Sequence, residues 1–216
     1  MKKYFVLPAL LVALFSPFAV NAGVQGSVGV DSDYFWRGVS QNNGNPSLNL
    51  NLEYHDGGGL YAGAWVGQVN YGGDKDHEFD FYAGYALSIT DAMILDVGLI
   101  HYTYDTLKPD LEEVYAKLHL GNWSFSHHMD IDNTDHTFTE VEYLLPFVSQ
   151  LDVSLLAAMH SEENAAIAGA GENEKYVGIK LSKDITSNLS LNAMIMDGAR
   201  HGEVMDNASV GFQYNF

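Results

Sequence analysis

The chain contains no cysteine, only 10 lysines and arginines against 28 acidic residues, and no long apolar run once its first 22 residues are passed. Without cysteine, neither a disulfide framework nor a structural zinc site of the cysteine type can form, so stability has to come from packing and closed hydrogen bonding. A formal net charge of −18 makes nucleic acid an unsuitable partner. A spanning helix needs roughly 18 to 20 consecutive apolar residues. None follows residue 22, which excludes a helical membrane protein.

The first residues read differently. Lys2 and Lys3 give a basic start, Val6 to Phe15 is apolar apart from Pro8, and Val20-Asn21-Ala22 is a small-residue cleavage site. This pattern predicts a cleavable secretory signal over residues 1–22 and one folded domain over residues 23–216. The alternative, a retained spanning helix, is interrupted by Pro8, Ser16 and Pro17. Loss of Lys2 and Lys3 leaves 8 basic side chains against 28 acidic ones. An exported chain of this kind is either a soluble β domain or a barrel whose apolar residues are hidden in alternation.

Alternation runs through the whole domain. Leu48, Leu50, Leu52 and Tyr54 share one face of a strand whose other face carries Ser47, Asn49, Asn51, Glu53 and His55. A helix would scatter these residues around its circumference. The same period predicts strands over 24–37, 47–55, 60–69, 77–88, 93–104, 111–120, 123–132, 136–145, 150–160, 174–183, 188–197 and 206–216. The expectation is an all-β fold, a closed antiparallel transmembrane β-barrel of about twelve strands. Short connections after the even strands and longer ones after strands 1, 3, 9 and 11 fit the turns and loops of outer-membrane barrels. The three-residue connection at 133–135 breaks that rhythm and keeps counts of ten or fourteen open.

The last strand separates barrel from soluble sandwich. Ala208, Val210, Phe212, Tyr214 and Phe216 lie on one face. An exposed edge ending in three aromatics would invite aggregation in water, whereas lipid accepts it. Phe212, Tyr214 and Phe216 are therefore expected to form the signal read by the barrel-assembly machinery. The apolar face collects Val30, Leu50, Phe79, Phe81, Val97, Leu99, Leu155 and Ile179 toward outer-membrane lipid, with Tyr34, Trp36, Tyr54, Trp123 and Tyr143 near strand ends. The polar face is acidic: Asp31, Asp33, Glu53, Glu78, Asp80, Asp96, Glu113, Asp130, Asp132, Glu140, Glu142 and Asp152 stand against Arg37, Lys117 and Lys180. The candidate pore lining is Asp33, Arg37, Glu53, Glu78, Asp80, Asp96, Glu113, Lys117, Glu140 and Glu142, with Tyr61, Trp65, Tyr82, Tyr102, Tyr104 and Tyr115 narrowing or blocking it. Arg37 is expected within reach of Glu78 or Asp80, either as part of a structural ion cluster or at a ligand-contacting constriction.

SDYFWRGVSQ at Ser32–Gln41, then Pro46, GLYAGAWVG at Gly59–Gly67 and EFDFYAGY at Glu78–Tyr85 resemble the opening of the TorF porin family over residues 32–85. The matching positions are Asp33, Tyr34, Arg37, Gly38, Ser40, Gln41, Tyr61, Gly63, Trp65, Glu78, Asp80, Gly84 and Tyr85. Gly67 stands where that family more often carries Ser. The resemblance implies an outer-membrane pore and supplies no solute.

Enzymatic and metal chemistry find less support. His127 and His101 are placed on the lipid side without a clearly paired serine or a Gly-x-Ser-x-Gly motif. His127 and His128 point to opposite faces, so His128 and Asp130 would need a ligand from a neighbouring strand. No catalytic, cofactor or metal site is predicted. The expectation is a channel in the outer membrane of a Gram-negative bacterium for passive diffusion of small, preferentially cationic solutes. The alternatives are an outer-membrane lipid-modifying hydrolase and a non-conducting structural barrel.

Overall fold

The computed structural model describes residues 22–71, 74–105, 110–146, 150–162, 174–200 and 203–216. The predicted signal segment lies outside them except for Ala22. Fourteen strands occur: β1 (Gly23–Asp31), β2 (Phe35–Trp36), β3 (Val39–Ser40), β4 (Ser47–His55), β5 (Leu60–Tyr71), β6 (Asp74–Thr90), β7 (Met93–Tyr104), β8 (Leu111–Leu120), β9 (Trp123–Asp130), β10 (His136–Leu144), β11 (Asp152–Glu162), β12 (Glu174–Asp184), β13 (Leu189–Arg200) and β14 (Glu203–Asn215). All but β2 and β3 form one closed barrel, in which each strand pairs antiparallel with its chain neighbours and β1 pairs with both β4 and β14. The predicted twelve-stranded barrel is the fold observed.

Closure follows from the last residues. Gly26 N donates to Phe216 O at 3.0 Å and Phe216 N to Gly26 O at 2.9 Å, so no edge remains at this seam. Gly26 has no side chain, and the Phe216 ring occupies the place a Cβ would take. Along each strand the two faces differ. Leu48, Leu50 and Leu52 are exposed, as are Val97, Leu99, Val210 and Phe212, while Asn49, Glu53, Asp96 and Gln213 are buried. The apolar side chains therefore point outward and the polar ones inward, the pattern a barrel in lipid requires.

Several inward tyrosines lie flat on the wall for a local reason. Tyr61 stands opposite Gly84, Tyr82 opposite Gly63 and Tyr115 opposite Gly98 in the register. In each pair a Cβ on the glycine would run into the tyrosine ring. The glycines thus let rings cover the backbone of the next strand.

Some boundaries differ from the sequence pattern. The first strand was predicted to reach Arg37 but leaves the barrel after Asp31. Ser32 N still donates to Val210 O at 2.8 Å, after which the chain turns inward. Alternation persisted because β2 and β3 are also extended, as a separate two-stranded hairpin with Phe35 opposite Ser40. Tyr34 and Trp36, expected at the lipid interface, therefore lie inside the barrel. The connections expected to be long after the third and eleventh strands are shortened by extra pairing, because β5 reaches Tyr71 and β14 begins at Glu203. Strand β9 stops at Asp130, so Asp132, expected inward, is exposed in a turn capped by Asp130 Oδ1.

Candidate functional site

The lumen is crossed by the segment between β1 and β4. The barrel end at which β1 starts and β14 finishes carries the short turns and is called the turn end; the segment fills the opposite half. Its hairpin turns at Arg37 (φ 50°) and Gly38 (φ 85°), left-handed backbone that strains a non-glycine residue. Four consecutive side chains then reach different walls. Tyr34 packs on Trp65 and Val69 of β5 and its hydroxyl donates to Glu78 Oε1 of β6 at 3.3 Å. Phe35 packs on Phe138, Leu156, Ala158, Tyr176 and Met196, from β10 to β13. Trp36 meets Tyr102 of β7 and His160 of β11 edge-on, with centroids 6.1 and 5.9 Å apart. Arg37 Nη1 donates to Glu113 Oε1 at 2.7 Å and Nη2 to Oε2 at 2.5 Å.

Backbone bonds fix the hairpin as well. Asn207 Nδ2 of β14 donates to Gly38 O at 2.7 Å, Asn70 N of β5 to Gln41 O at 2.8 Å, and Gln41 N to Tyr34 O at 2.7 Å. Ser40 Oγ donates to Asp33 Oδ1 at 2.9 Å. Burial holds the Asp33 carboxyl above its ordinary range, opposed by that bond and by backbone N–H groups of Tyr34, Gly44 and Asn42.

Glu113 is the centre of this arrangement. Besides Arg37 it accepts from Tyr102 Oη at 3.2 Å, and His128 Nδ1 lies 3.4 Å away. The guanidinium carbon sits 4.2 Å from the Trp36 ring centroid and 4.6 Å from that of Phe138. Both charged partners are 3% exposed. Arg37 was expected near Glu78 or Asp80, on the assumption that it ended a wall strand. Carried inward on the hairpin, it reaches the facing strand β8 instead.

Nearer the turn end a second layer of inward side chains lines the wall, its contacts joining strands one to three places apart. Tyr61 Oη donates to Asp96 Oδ1 at 2.6 Å and is bonded to Tyr115 Oη, and Tyr82 Oη donates to Asn51 Oδ1 at 2.9 Å. Lys117, opposite Asp96 in the register, places Nζ 4.7 Å from the Tyr115 ring centroid. Lys180 Nζ donates to Glu140 at 3.3 Å and to Glu142 at 2.7 Å. Glu53 is paired with His55. Asp80 lies beside Glu78 on the inner face of β6, both fully buried.

The structure thus brings Asp33, Arg37, Glu53, Glu78, Asp80, Asp96, Glu113, Lys117, Glu140 and Glu142 into one lumen, in two layers rather than one ring. Phe212, Tyr214 and Phe216 lie outside it, exposed on β14 and at the chain's last residue. Of three further inward groups, Lys180 is on the polar face of the sequence pattern without being among the candidate lining, Phe138 has no place in it, and Trp36 is assigned there to the lipid interface. Lys180 was legible by parity as a lumenal base, Phe138 shares the inward parity of Glu140, and Trp36 needed the turn at Arg37–Gly38 to be recognised.

The other weighed chemistries fall elsewhere. His127 Nδ1 bonds Thr139 Oγ1 at 2.9 Å outside, and the Ser–His contact of Ser124 with His119, at 3.1 Å, is inside the lumen rather than facing lipid. His128 faces Glu113 while Asp130 faces His136. Among the described residues no group of three or more His, Asp or Glu is arranged to hold a metal ion.

The profile of a family described as bacterial protein of unknown function (Gcw_chp) matches residues 15–197. Among solved structures, the barrel is similar to the KdgM porin in complex with disordered oligogalacturonate, with TM-score 0.63, 10% identity, and coverage of 89% of this chain and 98% of that one. A second KdgM porin structure gives 0.60 and 9%, and a NanC porin structure 0.51 and 11%, each with the same coverage. At such identities the likeness shows a shared β-barrel fold. No curated protein matches the sequence.

Proposed function

The chain belongs to the Gcw_chp family of bacterial proteins of unknown function, and from that premise we propose that it is an outer-membrane, porin-like channel for passive diffusion of small, preferentially cationic solutes. The observation that carries this reading is the charge of the barrel interior. Among the described residues nine acidic ones are buried there (Asp33, Glu53, Asp76, Glu78, Asp80, Asp96, Glu113, Asp130 and Glu140) against Arg37, Lys117 and Lys180. A narrow passage with low-dielectric walls focuses such a potential, concentrating cations and repelling anions. Rings of Asp and Glu act in this way in cation channels.

The resemblance of residues 32–85 to the TorF porins and the barrel likeness to KdgM and NanC porins support a pore. The proposed solute class differs from the oligogalacturonate named for a KdgM structure, because an acid-rich lumen repels an acidic sugar chain. The apolar outer face suits outer-membrane lipid, and the predicted signal and the aromatic face of β14 suit export and delivery to the barrel-assembly machinery.

The inward hairpin favours a second reading, a non-conducting structural barrel, because its side chains touch strands on nearly every side. A lipid hydrolase is less favoured, since the Ser–His contact faces the lumen. Single-channel recording of the refolded barrel in a planar bilayer separates these. Discrete conductance steps are expected; a silent bilayer at confirmed insertion would favour the structural barrel.

A further inference from the structure

The contact between Arg37 and Glu113 differs from the other cation contacts of the lumen in being a fitted receptor for a flat ion. Glu113 receives the two Nη atoms end-on, one on each carboxylate oxygen. It is fixed from behind by Tyr102 Oη and flanked by His128. Aromatic rings of Trp36 and Phe138 lie against the guanidinium. Such a fork and stacking geometry matches a guanidinium and not an ammonium, which is a compact point charge. The ammonium groups of the same lumen are held otherwise, Lys180 between two carboxylates and Lys117 beside Tyr115 and Asp96.

Two further features suit exchange. Arg37 Nε, through which the group is attached to its chain, is buried without a hydrogen-bond partner among the described residues. The site therefore grips only the terminal amidinium end, which any alkylguanidinium also presents. And Arg37 is carried by a hairpin rather than by a barrel strand, so it can leave without breaking the barrel's ladder.

We propose that Glu113 and Phe138 of the barrel wall form a guanidinium-binding site in the lumen, filled here by the chain's own Arg37, and that the solutes this barrel accepts are small guanidinium-bearing cations that exchange with that side chain. This rests on the channel reading and narrows its solute class. Glu113 is then the specificity-determining residue and Arg37 a tethered occupant.

The probe is ethylguanidinium, with tetramethylammonium as a cation of equal charge that has no N–H groups. For the Arg37→Ala barrel refolded in detergent, millimolar ethylguanidinium is expected to raise the thermal midpoint and change tryptophan fluorescence saturably. Tetramethylammonium should do neither, and Arg37→Ala combined with Glu113→Gln should lose the response. Should these variants fail to fold, the native protein supplies the reading: ethylguanidinium should speed tryptic cleavage after Arg37 by displacing it, and tetramethylammonium should not. Equal responses to both cations, or a response that survives loss of Glu113, would overturn the site. Saturable guanidinium binding in a barrel that never conducts would refute the channel and leave the site standing. Conductance steps without any selective guanidinium response would do the reverse.

Discussion

Replacing Glu113 by Gln tests how the lumenal hairpin is held. The carboxylate takes both Nη atoms of Arg37, and each partner is 3% exposed. Removing one partner of a buried ion pair costs about 3–5 kcal/mol, because the remaining charge stays buried. Glutamine keeps one carbonyl acceptor, which places the cost at about 3 kcal/mol, the low end of that range. The barrel ladder does not pass through this contact, so the loss should fall on the hairpin and not on the closed sheet. With every 1.4 kcal/mol worth tenfold, the released population should rise by about a hundredfold. Trypsin reads this directly at the Arg37–Gly38 bond, since cleavage tracks the open population when reclosing is fast. The assay is the initial rate of appearance of a fragment ending at Arg37, with heat-modifiable mobility as the control for an intact barrel. An unchanged rate on an intact barrel would refute the latch.

Three other outcomes follow from the fold. Leu50→Lys and Val97→Lys, on the exposed apolar face, should each cost about 2–4 kcal/mol in lipid, seen as a lower denaturant midpoint in vesicles; soluble recovery of the native protein without detergent would contradict the barrel's orientation. Tyr61→Phe removes the donor 2.6 Å from Asp96 and should lower stability by about 1–3 kcal/mol, measured in the same unfolding assay. Deleting Phe216 removes two backbone bonds at the β1–β14 seam and the ring over Gly26, and should deplete the outer-membrane heat-modifiable band, whereas a normal band would dismiss this role.

Most of the barrel was legible because period-two alternation and turn residues specify strands locally. The face of Leu50 or Glu113 follows from parity alone. The hairpin was not legible, because an extended strand of the wall and an extended strand leaving it share one pattern. Only the left-handed pair Arg37–Gly38 distinguishes them, and Arg-Gly is a weak turn signal in sequence. The misplacement of Tyr34 and Trp36, and the choice of Glu78 or Asp80 over Glu113 as Arg37's partner, both follow from that one ambiguity. Strand ends such as Tyr71 and Glu203 depend on partners across the sheet. A local pattern does not carry them.

The most direct measurement is the reversal potential of the refolded barrel in a planar bilayer under a potassium chloride gradient. Cation preference is expected for the native protein, reduced when Glu78 and Asp80 are changed to their amides. It should also shrink between 0.1 M and 1 M salt, where the Debye length falls from about 10 Å to about 3 Å. An anion-selective native pore would contradict the acidic-lumen channel.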